Sequence, residues 1–156
     1  MLLPDIAGSP MTGTEQLVQA SAVSIGGRAL LIEGKPGSGK SSLALALIDR
    51  GATLIGDDGV QLVRDGEITV ATPPPNIAGK LEVRGVGIVD LPVASAPLSL
   101  ILTIDPEAPR YPEKLATRDI LNIPIPVLPF KAGDAIQALR AEWALAEHGI
   151  KESTWV

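Results

Sequence analysis

The stretch that decides the fold is residues 28–51, RALLIEGKPGSGKSSLALALIDRG, in which a glycine-rich loop lies between two apolar runs. The loop satisfies the motif G-x-x-x-x-G-K-[ST] through Gly34, Gly39, Lys40 and Ser41. Glycines let the backbone wrap so that its N–H groups point at phosphate oxygens, and a following helix offers its positive end to the same anion. The motif requires a strand before it and a helix after it, and both apolar runs supply that context.

The loop predicts a nucleotide site. We expect Lys40 to reach the β- and γ-phosphates of ATP and the Ser41 hydroxyl to ligate Mg²⁺. The alternative is a glycine-rich surface turn with no ligand. The residues expected to contact ATP are those of the loop itself: Gly34, Lys35, Pro36, Gly37, Ser38, Gly39, Lys40, Ser41 and Ser42.

Composition narrows the class of protein. The chain has 156 residues, of which 46% are apolar and 20% charged, as in an ordinary globular protein. We expect one phosphate-loop domain over residues 15–150, with short tails at 1–14 and 151–156. Only 3% of residues are aromatic and the net charge is -5, so we expect no nucleic-acid partner.

Two further absences bear on function. The sequence has no cysteine, which excludes disulfides, thiolate catalysis and cysteine-ligated zinc. No apolar run is long enough to span a bilayer, and residues 1–16 do not follow the pattern of a secretory signal. We therefore expect a cytoplasmic protein without a membrane partner.

The rest of the chain predicts an α/β fold that is richer in strands than in helices. Gly26-Gly27 separates the two arms of a hairpin, and Gly51 ends the helix after the loop. The other predicted segments are a core strand at 52–58, a hairpin at 60–71, a loop at 72–76, a strand entering the core at 80–92, a buried strand at 98–105, and loops with short extended pieces at 106–129. A purely parallel doubly wound sheet fits this pattern poorly.

A second helix is predicted at residues 134–148, with Asp134 as its N-cap. Its apolar stripe is expected to contain Ile136, Leu139, Trp143 and Ala146. Trp143 and Trp155 are interpreted as packing residues.

Acidic residues follow three apolar runs and are candidates for a second metal ligand or a catalytic base. They are Asp57, Asp58, Asp90 and Asp105. Each of them is also typical of a turn or an N-cap. The doublet Asp57-Asp58 is distinctive, because adjacent like charges are costly unless a cation such as magnesium lies near them.

The combination of these motifs resembles the catalytic domain of HPr kinase/phosphorylase, in its short form without the N-terminal domain. The resemblance rests on residues 34–62, GKPGSGKSSLALALIDRGATLIGDDGVQL, and on residues 81–90, LEVRGVGIVD. The family pairs a phosphate loop with an "ADD" strand end and a signature like "EIRGLGI". The match extends over about residues 17–113.

The resemblance implies a fold and an activity. The fold is a phosphate-loop α/β domain akin to phosphoenolpyruvate carboxykinase, with a mixed sheet, several hairpins and few helices. The activity is ATP-dependent, Mg²⁺-dependent phosphorylation of a serine on HPr, the phosphocarrier protein of a phosphotransferase system. Many members also catalyse the reverse phosphorolysis, and many assemble into homo-oligomers.

The resemblance also assigns roles to residues. Asp58 matches the acid–base residue, and Lys40 and the more loosely aligned Arg110 are the other expected catalytic residues. Ser41 and Glu82 match magnesium ligands, and Asp57 is a further candidate ligand. The signature loop contains Arg84, Gly85 and Gly87; alternatively, Arg84 is a surface strand residue and Gly85 a bulge.

Two departures from the family pattern limit what it implies. Gln19 stands where the family has a histidine, and glutamine carries no proton near neutral pH. The only histidine, His148, is interpreted as a helix C-terminal residue. Around residues 126–134 Lys131 is the only positive charge, whereas the family has a basic segment associated with phosphorolysis, so we doubt the reverse reaction.

Two alternatives to an HPr kinase remain. A small-molecule kinase would use the same loop, although no arginine-rich lid is visible in the sequence. A nucleotide-sensing domain with reduced catalysis would explain Gln19, although such a domain has no need of Asp58 as a base.

Overall fold

The computed structural model describes residues 14–152. Most of the predicted tails, residues 1–13 and 153–156 with Trp155, lie outside the described residues. The strands are β1 (Glu15–Val18), β2 (Ser21–Ile25), β3 (Arg28–Glu33), β4 (Thr53–Gly56), β5 (Val60–Asp65), β6 (Ile68–Thr72), β7 (Lys80–Val83), β8 (Gly87–Asp90), β9 (Ala96–Ile104), β10 (Ala116–Ile120) and β11 (Ile123–Phe130), and the helices are α1 (Lys40–Asp49) and α2 (Gln137–His148).

Nine of the eleven strands form one mixed sheet in the order β1-β5-β6-β9-β3-β2-β4, with β10 and β11 added beside β9. The central strand β9 runs parallel to β3 and to β11, whereas the other neighbours pair antiparallel. Strands β6 and β11 lie on the same side of β9, because β6 pairs with its beginning and β11 with its end. Within residues 14–152 there are two α-helices, so the expected mixed sheet with several hairpins and few helices is confirmed.

The core lies on both faces of the central strands. On one face, Leu30 and Ile32 of β3 pack with Leu43 and Leu47 of α1 and with α2. On the other face, the alternate residue Leu31 belongs to a cluster with β5, β6 and the β10–β11 hairpin. Because both faces are covered, β3 and β9 are continuous apolar runs without alternation, which is why the sequence predicted them correctly.

Several local predictions are confirmed. The hairpin β2–β3 turns at Gly26 and Gly27, which both have positive φ, and β5–β6 turns beyond Asp65. The helix after the loop ends before Gly51, whose φ is 111°. The predicted loop at 72–76 is confirmed except for Thr72, which is the last residue of β6; residues 73–79, with the three consecutive prolines, connect β6 to β7 without helix or strand.

The prediction of one core-entering strand at residues 80–92 is wrong. The segment forms the separate two-stranded sheet β7–β8, in which Leu81 is buried but Val86 and Ile88 are exposed. The chain reverses between the strands because the Val86 N–H bonds back to the Val83 carbonyl at 2.9 Å. The apolar residues that indicated a core strand therefore lie on a surface hairpin.

The prediction of loops and short pieces over residues 106–129 is also wrong, since β11 is an eight-residue strand containing three prolines. The nitrogens of Pro124 and Pro126 point away from β10, at positions before pairing with β9 begins at Val127. The nitrogen of Pro129 points toward the side of β10, whose pairing has ended by then. Each missing N–H thus falls where the strand has no neighbour to receive it.

The second helix begins later, and faces differently, than predicted. It starts at Gln137, while Asp134 forms a preceding turn in which its Oδ1 accepts the Ile136 N–H at 3.0 Å. The buried face is Ala138, Ala141, Ala144 and Leu145, because small side chains let the helix lie close against the sheet. In the predicted stripe, Ile136, Leu139 and Trp143 are exposed and Ala146 is half-buried. Trp143 is 62% exposed, so its interpretation as a packing residue is wrong.

Candidate functional site

The phosphate loop joins β3 to α1, in the context that the motif requires. Gly37 and Gly39 adopt left-handed conformations with φ of 79° and 108°, which strongly favour glycine. The first helical hydrogen bond runs from the Leu43 N–H to the Gly39 carbonyl at 3.0 Å. The N–H groups of residues 40–42 therefore have no partner within the helix, and no side chain caps it. This arrangement fits an anion at the helix N-terminus.

Lys40 is held by the loop that it follows. Its Nζ donates hydrogen bonds to the carbonyls of Gly34 at 2.8 Å and Lys35 at 3.3 Å. The side chain thus folds back over the loop and also lines the adjoining cavity. An ammonium group in this position can exchange one carbonyl for a phosphate oxygen with a small rotation of its stem.

Ser41 and Asp57 are in direct contact. The Ser41 hydroxyl donates a hydrogen bond to Asp57 Oδ1 at 2.6 Å, joining the first turn of α1 to the end of β4. The same oxygen accepts the hydroxyl of Ser21 at 2.8 Å. Sequence reasoning missed Ser21, because an isolated serine at the start of a strand carries no signal beyond its place two residues after the expected histidine position.

Asp58 follows in a left-handed conformation, with φ of 59°. The turn around it is tight: a Cβ on Gly56 in this conformation would lie 2.1 Å from the Gly59 carbonyl oxygen. Asp58 is exposed and lines the cavity, and no hydrogen bond to its carboxylate is present among residues 14–152. Its carboxylate is therefore available to a ligand.

The surface hairpin β7–β8 also contributes to the cavity. Glu82, Val83, Arg84 and Gly85 line the same cavity, of about 470 Å³, as the phosphate loop. Of the signature residues, Gly87 does not line this cavity. The loop contributes most of the other lining residues, which are Pro36, Gly37, Gly39, Lys40, Ser41 and Ser42, with Leu45, Ser21, Asp57 and Asp58 completing the set.

The predicted magnesium ligands share the cavity without forming a closed metal cage. Ser41 donates a hydrogen bond to Asp57, and Glu82 lines the same cavity. Over residues 14–152 there is no group of three or more carboxylate, imidazole or thiol side chains that could hold a metal ion by itself. This donor set fits Mg²⁺, which binds through one or two carboxylates and takes its remaining ligands from phosphates and water.

Several other candidates lie away from this cavity. Arg110 is exposed, stacks on the Tyr111 ring and does not line the cavity. Asp90 forms an ion pair with Lys80, and Asp105 accepts the Glu107 N–H in a turn at 2.8 Å, so both satisfy their alternative structural roles. Gln19 is exposed in the bend between β1 and β2 and is likewise not a lining residue.

An ion pair lies at the base of the loop. Glu33, the last residue of β3, accepts two hydrogen bonds from Arg118 of β10. These bonds hold the pKa of Glu33 below its ordinary value and raise that of Arg118. The pair ties the first residue before the loop to the β10–β11 hairpin.

Among residues 14–152, neither helix is long and apolar enough to cross a membrane.

The chain is similar to known proteins in sequence and in structure. The curated HPr kinase/phosphorylase of Clostridium acetobutylicum is 34% identical over 134 residues, which are 76% of this chain and 44% of that protein. The one from Enterococcus faecalis is 45% identical over 75 residues, 47% of this chain and 24% of that protein. The chain spans less than half the length of these curated relatives.

A solved structure, the HPr(Ser) kinase/phosphatase from Coxiella burnetii, matches with a TM-score of 0.74 and 29% identity. The match covers 85% of this chain and 95% of the solved chain, which agrees with the α/β kinase-type fold described above. The family model described as HPr Serine kinase C-terminal domain matches residues 11–94, more than half of the chain and all of the cavity lining. The chain therefore belongs to the family of HPr serine kinase C-terminal domains.

Proposed function

We propose that this protein is an ATP-dependent kinase that phosphorylates a serine of an HPr-type phosphocarrier protein. The observation that carries the proposal is the placement of Asp58, whose free carboxylate lines the same cavity as the phosphate loop. A kinase for a hydroxyl acceptor needs a group that accepts the hydroxyl proton close to the transferred phosphoryl group. Asp58 supplies that group.

The loop residues bind and orient the nucleotide. The backbone N–H groups of residues 40–42 and the Lys40 ammonium group are donors for phosphate oxygens. Ser41, Asp57 and Glu82 are the residues that would hold Mg²⁺, which supplies neutralising charge for the phosphates. Arg84, which also lines the cavity, adds a second positive charge.

The chemical step is an in-line transfer. Asp58 takes the proton of the acceptor serine hydroxyl, the serine oxygen forms a bond to the γ-phosphorus, and the bond to the bridging oxygen of ADP breaks. The catalytic role of Arg110 stays a prediction, because its guanidinium group lies outside the cavity in this conformation.

The proposal extends to partners and location. We infer a cytoplasmic protein whose partners are a nucleotide and HPr, without a nucleic-acid partner and with assembly into a homo-oligomer. Phosphorolysis of phosphoserine is not part of the proposal, because Lys131 is the one positive charge in the segment where the family concentrates them.

The test mixes the purified chain with HPr-type proteins, Mg²⁺ and γ-labelled ATP and locates the label by mass spectrometry. We expect label on an HPr serine, and loss of that label in Asp58→Asn with nucleotide binding retained. The matched control is Asp90→Asn, since Asp90 is the last residue of strand β8 and does not line the cavity. Full transfer by Asp58→Asn would contradict the role of Asp58.

A second candidate is a nucleotide-sensing domain with reduced catalysis, favoured by Gln19, which cannot carry a proton where the family has a histidine. Binding of Mg²⁺-ATP without label on any HPr would support this candidate. Label on a small molecule instead of HPr would support a small-molecule kinase.

A further inference from the structure

We propose that Ser21 is a positioning residue for the magnesium site: it orients Asp57, and Asp57 in turn orients Ser41. The inference rests on the proposed binding of Mg²⁺-ATP and extends it to a residue with no role in the phosphate-loop motif. Ser21 is fully buried at the start of β2, although it forms part of the cavity wall.

The three side chains come from distant parts of the chain and meet at one atom. Oδ1 of Asp57 accepts hydrogen bonds from Ser21 at 2.8 Å and from Ser41 at 2.6 Å. Hydrogen bonds to a charged acceptor are stronger than those between neutral groups. Two of them on one oxygen fix the rotation of the carboxylate.

The direction of the Ser41 proton decides whether this serine can ligate a cation. A serine hydroxyl has one proton and two lone pairs, and an ionised carboxylate is an acceptor only. When Ser41 donates its proton to Asp57, its lone pairs are left for a metal ion in the cavity. If Asp57 rotated, the Ser41 hydroxyl would lose its hydrogen-bond acceptor. Its proton could then point into the cavity, which would lower the affinity of Ser41 for the metal.

The sheet places Ser21 next to Asp57 through an irregularity. Along the β2–β4 pair, Val23 lies opposite Leu54 but Ala22 lies opposite Gly56, so Ile55 is an extra residue. Such a bulge bends the strand and changes the direction of the chain that follows it. Here it brings the end of β4, and with it Asp57, alongside the first residue of β2.

The test compares Ser21→Thr with Ser21→Val. The two variants have nearly the same shape, but only threonine keeps a hydroxyl group. The probe is a non-hydrolysable ATP analogue with a fluorescent ribose substituent, titrated with and without Mg²⁺. Thermal unfolding of each variant verifies that it folds, and Ser21→Ala replaces Ser21→Val if the valine is not accommodated.

We expect all variants to bind the metal-free nucleotide equally. Mg²⁺ should increase the affinity of the unaltered chain and of Ser21→Thr for the nucleotide analogue. Ser21→Val should need about tenfold more Mg²⁺ for the same increase in affinity, a loss typical of removing a group that supports a metal ligand. The control is Ser99→Ala, since Ser99 is also fully buried but donates to the Pro97 carbonyl in β9. It should behave as the unaltered chain does.

Equal Mg²⁺ dependence in the threonine and valine variants would overturn the inference. If Ser21→Val lost the same affinity for the nucleotide analogue with and without Mg²⁺, the inference would also be overturned, because that result would indicate a general structural defect. Labelling of HPr, measured in parallel, separates the two proposals. Mg²⁺ binding that depends on Ser21 without HPr labelling contradicts only the proposed acceptor, whereas labelling with unchanged Mg²⁺ dependence contradicts only the role of Ser21.

Discussion

Arg118 holds the Glu33 carboxylate with both terminal nitrogens of its guanidinium group, Nη1 to Oε1 at 2.8 Å and Nη2 to Oε2 at 2.7 Å. Thr103 of β9 donates a third hydrogen bond to the same carboxylate at 2.8 Å. Glu33 immediately precedes the phosphate loop, so this ion pair fixes the chain at the point where β3 ends. The hydrogen bonds from Arg118 are the main reason that the pKa of Glu33 lies below its ordinary value of 4.5.

This relationship predicts a stability contribution that depends on pH. Because the pKa of Glu33 is lower in the folded protein, the contribution is complete above the ordinary value and is lost as the pH falls through the folded value. A double-mutant cycle of Glu33→Gln and Arg118→Met, measured by urea unfolding, should give a coupling of about 0.5 to 1 kcal/mol at pH 7. A coupling that persists unchanged at pH 3 would contradict the ion pair as its source.

The left-handed backbone of Asp58 predicts that the stability of Asp58 variants depends on how well the new residue tolerates positive φ, not on whether it keeps the carboxylate. Aspartate and asparagine tolerate this conformation, whereas alanine is expected to cost about 1 kcal/mol there. Asp58→Asn should therefore unfold at the same urea concentration as the unaltered chain, Asp58→Ala at a lower one, and Asp58→Gly without penalty from the positive φ. Equal stabilities of the alanine and asparagine variants would show that the turn relaxes.

The position of Lys40 predicts that its replacement lowers nucleotide affinity, whereas replacing a lysine outside the cavity does not. Lys40→Met removes a charged donor next to the phosphate site, so the affinity for ATP should fall by about ten- to a hundredfold in equilibrium titrations. Lys151→Met is the control, because Lys151 is exposed and does not line the cavity. It follows Ile150, whose N–H bonds to the Ser99 carbonyl in the first half of β9. Equal losses in the two variants would indicate a nonspecific effect of charge.

The two faces of α2 predict opposite effects on stability. Trp143→Gln should change the free energy of unfolding by less than about 0.5 kcal/mol, because this side chain is 62% exposed. Leu145→Ala, two residues along the same helix, should cost about 3 kcal/mol because Leu145 is 1% exposed. Denaturant unfolding of both variants checks the assignment, and a large loss in Trp143→Gln would restore the packing role that the sequence had indicated.

Local physical rules in the sequence determined the strand–loop–helix unit, the hairpins at Gly26-Gly27 and Asp65-Gly66, and the strands β4 and β9. In each case the signal is contained within a few residues: left-handed turns that require glycine, or apolar runs of strand length between breakers. The motif residues Lys40 and Ser41, and the doublet Asp57-Asp58, could be identified for the same reason.

The tertiary structure decided what depends on neighbours far away in the chain. The apolar residues of 80–92 do not indicate whether the core or solvent covers them, and Val86 and Ile88 proved to be exposed. The alanine face of α2 is buried because small side chains permit close packing against the sheet. A ranking by hydrophobicity alone would instead have placed Trp143 in the core. The contact of Ser21 with Asp57 spans 36 positions and depends on a bulge between β2 and β4, so only the folded sheet brings these two side chains together.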